Sequence, residues 1–143
     1  MKISELARTA NCSTETIRFY ERTGLLPHPD RTDANYRSYS PMHRERLCFI
    51  RNCRNLDMAH DEIRALLSFV DKSQGDCGPV NALLDEHINH VDVRLKELRK
   101  LRQQLVALRT QCRSEQPIEA CGIVHGLATM QTHEKHPSAS HLG

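Results

Sequence analysis

Between residues 80 and 112 the chain has neither proline nor glycine, and its apolar side chains follow a seven-residue repeat. Leu84, Val91, Leu98, Leu105 and Cys112 share one phase, and Val80, Leu101 and Leu108 share the companion phase. His87 and Arg94 interrupt the second phase, while Ile88 and Leu95 broaden the stripe beside it. The pattern predicts a helix over 79–112, about 50 Å long, with an apolar seam that needs a partner helix. The rest of a 143-residue chain is too small to cover an edge of that length. A coiled-coil homodimer is therefore expected.

The remaining sequence agrees with a mainly α protein. It is 38% hydrophobic but only 4% aromatic and lacks tryptophan, which suits aliphatic helix seams better than a β-sandwich core. No apolar run is long enough for a membrane span, and MKISELARTA is charged and amphipathic, unlike a signal peptide. A cytoplasmic location is expected, where six cysteines stay reduced. Residues 1–60 hold ten Lys and Arg against seven Asp and Glu, a mildly basic front end that fits a polyanionic partner.

That front end reads as two short helices and a wing. Ile3, Leu6, Ala7 and Ala10 have one-face helical spacing, Ser13 is placed to cap a second helix, and Gly24 is placed to stop it. Prolines and turn formers follow, then Tyr36-Arg37-Ser38-Tyr39 alternates as a short strand. Ser40-Pro41 restarts a helix whose apolar side carries Leu47, Ile50 and Leu56, and Ile63, Leu66, Leu67 and Val70 mark another. A winged helix-turn-helix would present Thr14, Thr16, Arg18 and Tyr20 to the major groove and Arg31, Tyr36 and Arg37 to the flanking phosphates. The expected organisation is a DNA-binding domain over 1–70, a linker over 71–78, the dimerisation helix over 79–112, a loop and short helix over 113–127, and a disordered tail over 128–143.

The string ETIRFYERTGLLPHPDRTDANYRSYS closely resembles the MerR family signature, in which an RFYE helix precedes GLL.P and an NYR.Y wing. The resemblance extends through FIRNCRNLDM to Cys121. It implies a winged helix-turn-helix joined to an antiparallel coiled-coil dimer on double-stranded promoter DNA. It also implies that such a dimer, on binding metal, bends and untwists an overlong spacer so that RNA polymerase can engage both promoter elements. By position it singles out Arg18, Tyr20, Tyr36 and Arg37 as DNA contacts.

Cys77 precedes the long helix, Cys112 closes it, and Cys121 follows nine residues later. Three thiolates suit a large, soft cation. One chain cannot bring Cys77 to Cys112 across the helix, so the expected site joins Cys77 of one subunit to Cys112 and Cys121 of the other. DCGPVNALLDEHI and CRSEQPIEACGI are similar to the cadmium/lead-responsive branch of the family, known as CadR or PbrR, which implies Pb(II) or Cd(II) as effector. Hg(II) and Zn(II) stay open, the latter if His125 supplies a fourth ligand. Cys12, Cys48 and Cys53 read as structural thiols. His133, His136 and His141 read as solvated tail residues, with a looser second metal site as the alternative.

Other classes are less well supplied. The sequence shows no glycine-rich phosphate loop or paired-carboxylate site, so it does not read as an enzyme. A metal buffer would not need the winged-helix segment. A redox regulator using Cys112 and Cys121 as a reversible disulfide is the remaining alternative.

Overall fold

The computed structural model describes residues 1–132, so the tail histidines His133, His136 and His141 lie outside the described residues. The order of elements is α1 (Ile3–Thr9), α2 (Thr14–Arg22), β1 (Asp30–Arg31), β2 (Arg37–Ser38), α3 (Pro41–Asn55), α4 (His60–Lys72), α5 (Gly78–Arg109), a 3-10 turn (Ile118–Ala120) and α6 (Gly122–Thr129). The chain is mainly helical, with a two-stranded wing, as its periodicities require. It divides into two units, one spanning Met1–Asp85 and the other beginning at Glu86.

In the first unit each boundary has a local cause. Ser13 has extended backbone geometry, and its hydroxyl accepts the Thr16 amide at 3.1 Å, satisfying one free N–H at the start of α2. Gly24 takes φ +80, which lets the Leu25 and Leu26 amides fold back onto the Tyr20 carbonyl at 3.0 and 3.1 Å. The wing pairs Asp30 with Ser38 and Arg31 with Arg37 in antiparallel register. Its turn is closed by the Thr32 amide donating to the Tyr36 carbonyl at 2.8 Å. Pro41 opens α3, with Ser40 and His43 forming a reciprocal capping box.

The core gathers Leu6 and Ala7 from α1, Ile17 and Tyr20 from α2, Leu25 and Leu26, Leu47 and Ile50 from α3, and Ile63, Leu66 and Leu67 from α4. Each fully buried leucine or isoleucine contributes about 1.5–3 kcal/mol over leaving it in water. Val80 and Leu83, in the first turns of α5, pack against this cluster.

Leu56, expected on the apolar side of α3, is 65% exposed. The helix ends at Asn55, and Asp57 then adopts φ +59, so the chain reverses before Leu56 can turn inward. Cys53 and Met58 occupy the buried positions instead. Val70, expected among the marks of α4, is also exposed. That helix continues through Lys72, past the point where the linker was expected.

The 32 residues of α5 end at Arg109. Val91, Leu98, Leu101 and Leu105 are exposed along it. In the second unit α6 packs against the last turns of α5. A Cβ added at Gly122 would fall on the Gln111 carbonyl oxygen, and one at Gly126 would fall on the Gln111 side chain. The two glycines, one helical turn apart, let α6 approach this closely. Beside them is an apolar groove of about 380 Å³ lined by Leu101, Leu105, Leu108, Leu127 and Met130.

Candidate nucleic-acid interface and metal centre

The seven side chains expected at DNA fall into three groups. Arg18 and Arg31 are exposed, and Tyr36 is 72% exposed at the tip of the wing. Thr14 and Thr16 are half-buried, and the Thr16 hydroxyl hydrogen-bonds Ser13 Oγ at 2.9 Å within the α2 cap. Arg31 also braces the wing, donating to the Asn35 carbonyl at 3.3 Å.

Tyr20 corrects the sequence expectation. It lies three residues after Ile17, on the same inward face of α2, and is 3% exposed. Its ring packs against Phe19 and His60 with centroids 5.9 and 6.0 Å away. It belongs to the core rather than to the set of DNA contacts. Phe19, the next side chain back, is the partly exposed aromatic of this helix.

Arg37 is diverted as well. Its guanidinium donates to Glu21 Oε2 at 3.2 Å, and the Tyr39 hydroxyl donates to Glu21 Oε1 at 2.5 Å. Glu21 is 5% exposed, a buried carboxylate satisfied by one charged and one neutral donor. The Tyr39 phenol is pushed up to about 12, chiefly by burial and then by its bond to Glu21. Helix α2 and the wing are thus tied through one carboxylate.

A depression of about 490 Å³ lies beside α2, bordered by Ser13, Thr16, Arg22, Arg51, Arg54 and His60. Burial, followed by the charges of Arg54 and Arg64, holds the His60 imidazole below its ordinary value. Sequence reasoning missed Glu21, Arg51, Arg54 and His60. Arg51 and Arg54 were discernible in principle, since two arginines three apart share one helix face.

The cysteines separate into two kinds. Cys53 is buried and Cys12 half-buried, and desolvation raises both thiols, which makes them poor metal ligands. Cys77, Cys112 and Cys121 flank helices. Cys77 is exposed, and its carbonyl accepts the Asn81 amide at 2.9 Å in the first turn of α5. Cys112 lies just beyond α5 rather than within its last turn, and Cys121 is the N-cap of α6. No side-chain capping bond forms there, yet the Val124 and Ile123 amides lower the Cys121 thiol below its usual range. Slight burial opposes them, and a hydrogen bond with the Cys112 side chain adds to the lowering.

Cys112 and Cys121 therefore converge as two soft donors, which fits a thiophilic cation. Cys77 is at the opposite end of a helix about 48 Å long, by its rise of 1.5 Å per residue. His125 Nε2 lies 3.0 Å from the Glu119 carbonyl, so one ring nitrogen is already engaged.

Residues 1–69 match the model of the MerR HTH family regulatory proteins, and residues 44–108 match that of the MerR DNA-binding region. The HTH-type transcriptional regulator ZntR homolog of Haemophilus influenzae is 47% identical over 109 residues, covering 76% of this chain and 81% of that protein. The chain belongs to the MerR family. MerR-family regulators bind promoter DNA and act as dimers. The mercuric resistance operon regulatory protein of Bacillus cereus is 33% identical and covers 88% of this chain and 96% of its own. The crystal structure of the transcription regulator PbrR691 from Ralstonia metallidurans CH34 in complex with lead(II) superposes with a TM-score of 0.81 at 48% identity. That match covers 89% of this chain and 98% of PbrR691. The likeness thus runs to metal-responsive members of the MerR family.

Proposed function

We propose that this chain is a metal-dependent transcriptional regulator that binds a promoter as a homodimer and activates heavy-metal resistance genes when Pb(II) or Cd(II) occupies a three-cysteine site. The observation that carries the reading is the convergence of Cys112 and Cys121 beyond one end of α5, while exposed Cys77 precedes its other end. An antiparallel pair of α5 helices brings Cys77 of the partner subunit beside Cys112 and Cys121. The seam of Val91, Leu98 and Leu105 is the surface that such a pair buries. A soft divalent ion would supply a crosslink between the subunits there, held by three thiolates.

On the DNA side, Arg18 on α2 reads base edges, and Arg31 with Tyr36 on the wing grips phosphates to either side. Thr14 and Thr16 support this contact from the first turn of α2, and Arg37 acts through Glu21 by fixing the wing. The crosslink would shift the two DNA-binding units and deform the promoter spacer until RNA polymerase can engage it, a form of indirect readout. Likeness to the lead-bound PbrR691 supports the large, soft effectors over Hg(II) and Zn(II). Among the described residues no helix is long and apolar enough to cross a membrane.

The test is a competition titration of the reduced protein with lead, cadmium, mercury and zinc, following thiolate-to-metal absorption. Tight lead or cadmium binding that disappears in Cys112→Ser supports the reading, and preference for zinc overturns the choice of metal. A mixed dimer of Cys77→Ser with Cys112→Ser should keep one intact site, because one of its two ends retains all three thiols. Loss of both sites would sink the shared-site geometry.

A further inference from the structure

The metal reading uses Cys112 and Cys121 as ligands, but their arrangement also allows chemistry without a metal. The Cys112 thiol donates to the Ser114 carbonyl at 3.4 Å, and the close approach of Gly122 to the Gln111 carbonyl brings Cys121 beside it within one chain. Both are half-buried, so small solutes can reach them. Neither is locked inside a helix: Cys112 follows the end of α5, and Cys121 starts α6. Gly122 and Gly126 hold α6 against Gln111, the residue before Cys112, and so keep the sulfurs together.

We propose that Cys112 and Cys121 form a peroxide-reactive dithiol whose oxidation to an intrachain disulfide disables metal sensing. The oxidant is a hydroperoxide. The Cys121 sulfur, beside the first amides of α6, attacks the peroxide oxygen, breaking the O–O bond to leave Cys121 as a sulfenic acid and release water or an alcohol. The Cys112 sulfur then attacks the sulfenic sulfur, expelling its hydroxyl as water and forming the S–S bond. Two thiols lose two electrons in total, and one peroxide gains them. The consequence for sensing rests on the metal-site reading, since it is the loss of two of three ligands that silences the response. A bound metal ion occupies both sulfurs and protects them.

Treatment of the full-length, reduced, metal-free protein with hydrogen peroxide tests the proposal. The expected product loses about 2 Da per chain, the two thiol hydrogens. It migrates as a monomer on a non-reducing gel and yields a peptide joining Cys112 to Cys121. Cys77→Ser should form the same link, dithiothreitol should reverse it, and saturating lead should suppress it. Links through Cys77, links between subunits, or recovery of both thiols unreacted would each overturn the proposal. A lead titration of the untreated sample runs alongside. Lead binding without the disulfide defeats this inference alone, and the disulfide without lead binding defeats the metal reading alone.

Discussion

The Tyr39 hydroxyl donates a 2.5 Å hydrogen bond to the buried Glu21 carboxylate, linking the residue after the wing to the inward face of α2. Arg37 approaches the other carboxylate oxygen at 3.2 Å. A buried carboxylate is costly unless its lone pairs are met, and here two wing-side donors meet them. The orientation of the wing on α2 thus depends on a carboxylate buried between them.

Glu21→Ala leaves the buried Tyr39 hydroxyl without its acceptor and frees Arg37. A stability loss of about 1–3 kcal/mol is expected from the unmet donor, read as a lower urea midpoint. Operator affinity should fall more than in a control of equal stability loss, such as Ile63→Val in the core. Equal losses in the two variants would reduce Glu21 to a packing residue.

The Tyr39 phenol, pushed up to about 12 from an ordinary 10.0, gives a pH signature. Its folded value lies above its unfolded one, so its contribution to stability is fully present below pH 10 and is lost as pH rises through 12. In an alkaline absorbance titration of the folded protein, Tyr39→Phe should remove the highest-pH tyrosinate phase. Persistence of that phase in the variant would assign it elsewhere.

Arg18 and Arg31 should fail in different ways. Arg18→Ala is expected to cost about 1–3 kcal/mol on the operator and to relax discrimination at one base pair. Arg31→Ala should weaken binding evenly across sequences and reduce the salt slope by about one. Binding isotherms at several salt concentrations, on operator and scrambled DNA, separate these outcomes.

The two glycines of α6 should also differ. A Cβ at Gly122 meets backbone at Gln111, whereas one at Gly126 meets the end of the Gln111 side chain, which can swing aside, and Leu108 at 3.2 Å. Overpacking of this kind costs about 1–3 kcal/mol, so Gly122→Ala should weaken lead binding on the order of tenfold while Gly126→Ala does less. Operator binding by the metal-free protein should not change in either variant. A reversed ranking would mean that α6 is not held by its contact with the Gln111 backbone.

Local pattern made much of the fold legible. The α5 stripe shows in sequence because a long helix repeats its environment every seventh residue, and the boundaries at Ser13, Gly24 and Pro41 show because each performs a local backbone task. Leu56 was misread because its fate depends on the left-handed turn at Asp57, one residue further on. Tyr20 is misplaced when alternate residues of α2 are all turned toward DNA, because its spacing from Ile17 puts both on the inward face. The burial of Glu21 could not be read from α2 at all, since its partners lie beyond the intervening wing. For the metal site, sequence supplied the three cysteines. The contact between Cys112 and Cys121 needed the geometry of α6 on Gln111, where glycine matters for the volume it lacks.

The uncovered leucines of α5 bear on how such a chain is made and removed. A newly synthesised copy carries an oily strip along most of α5 until it meets a second copy. Its lifetime in that interval depends on its own concentration, because the solitary form is the one that chaperones and proteases recognise. A cell that makes few copies therefore clears many of them before they pair. The supply of working sensor should rise more steeply than the rate of translation, setting a floor below which the promoter stays unattended.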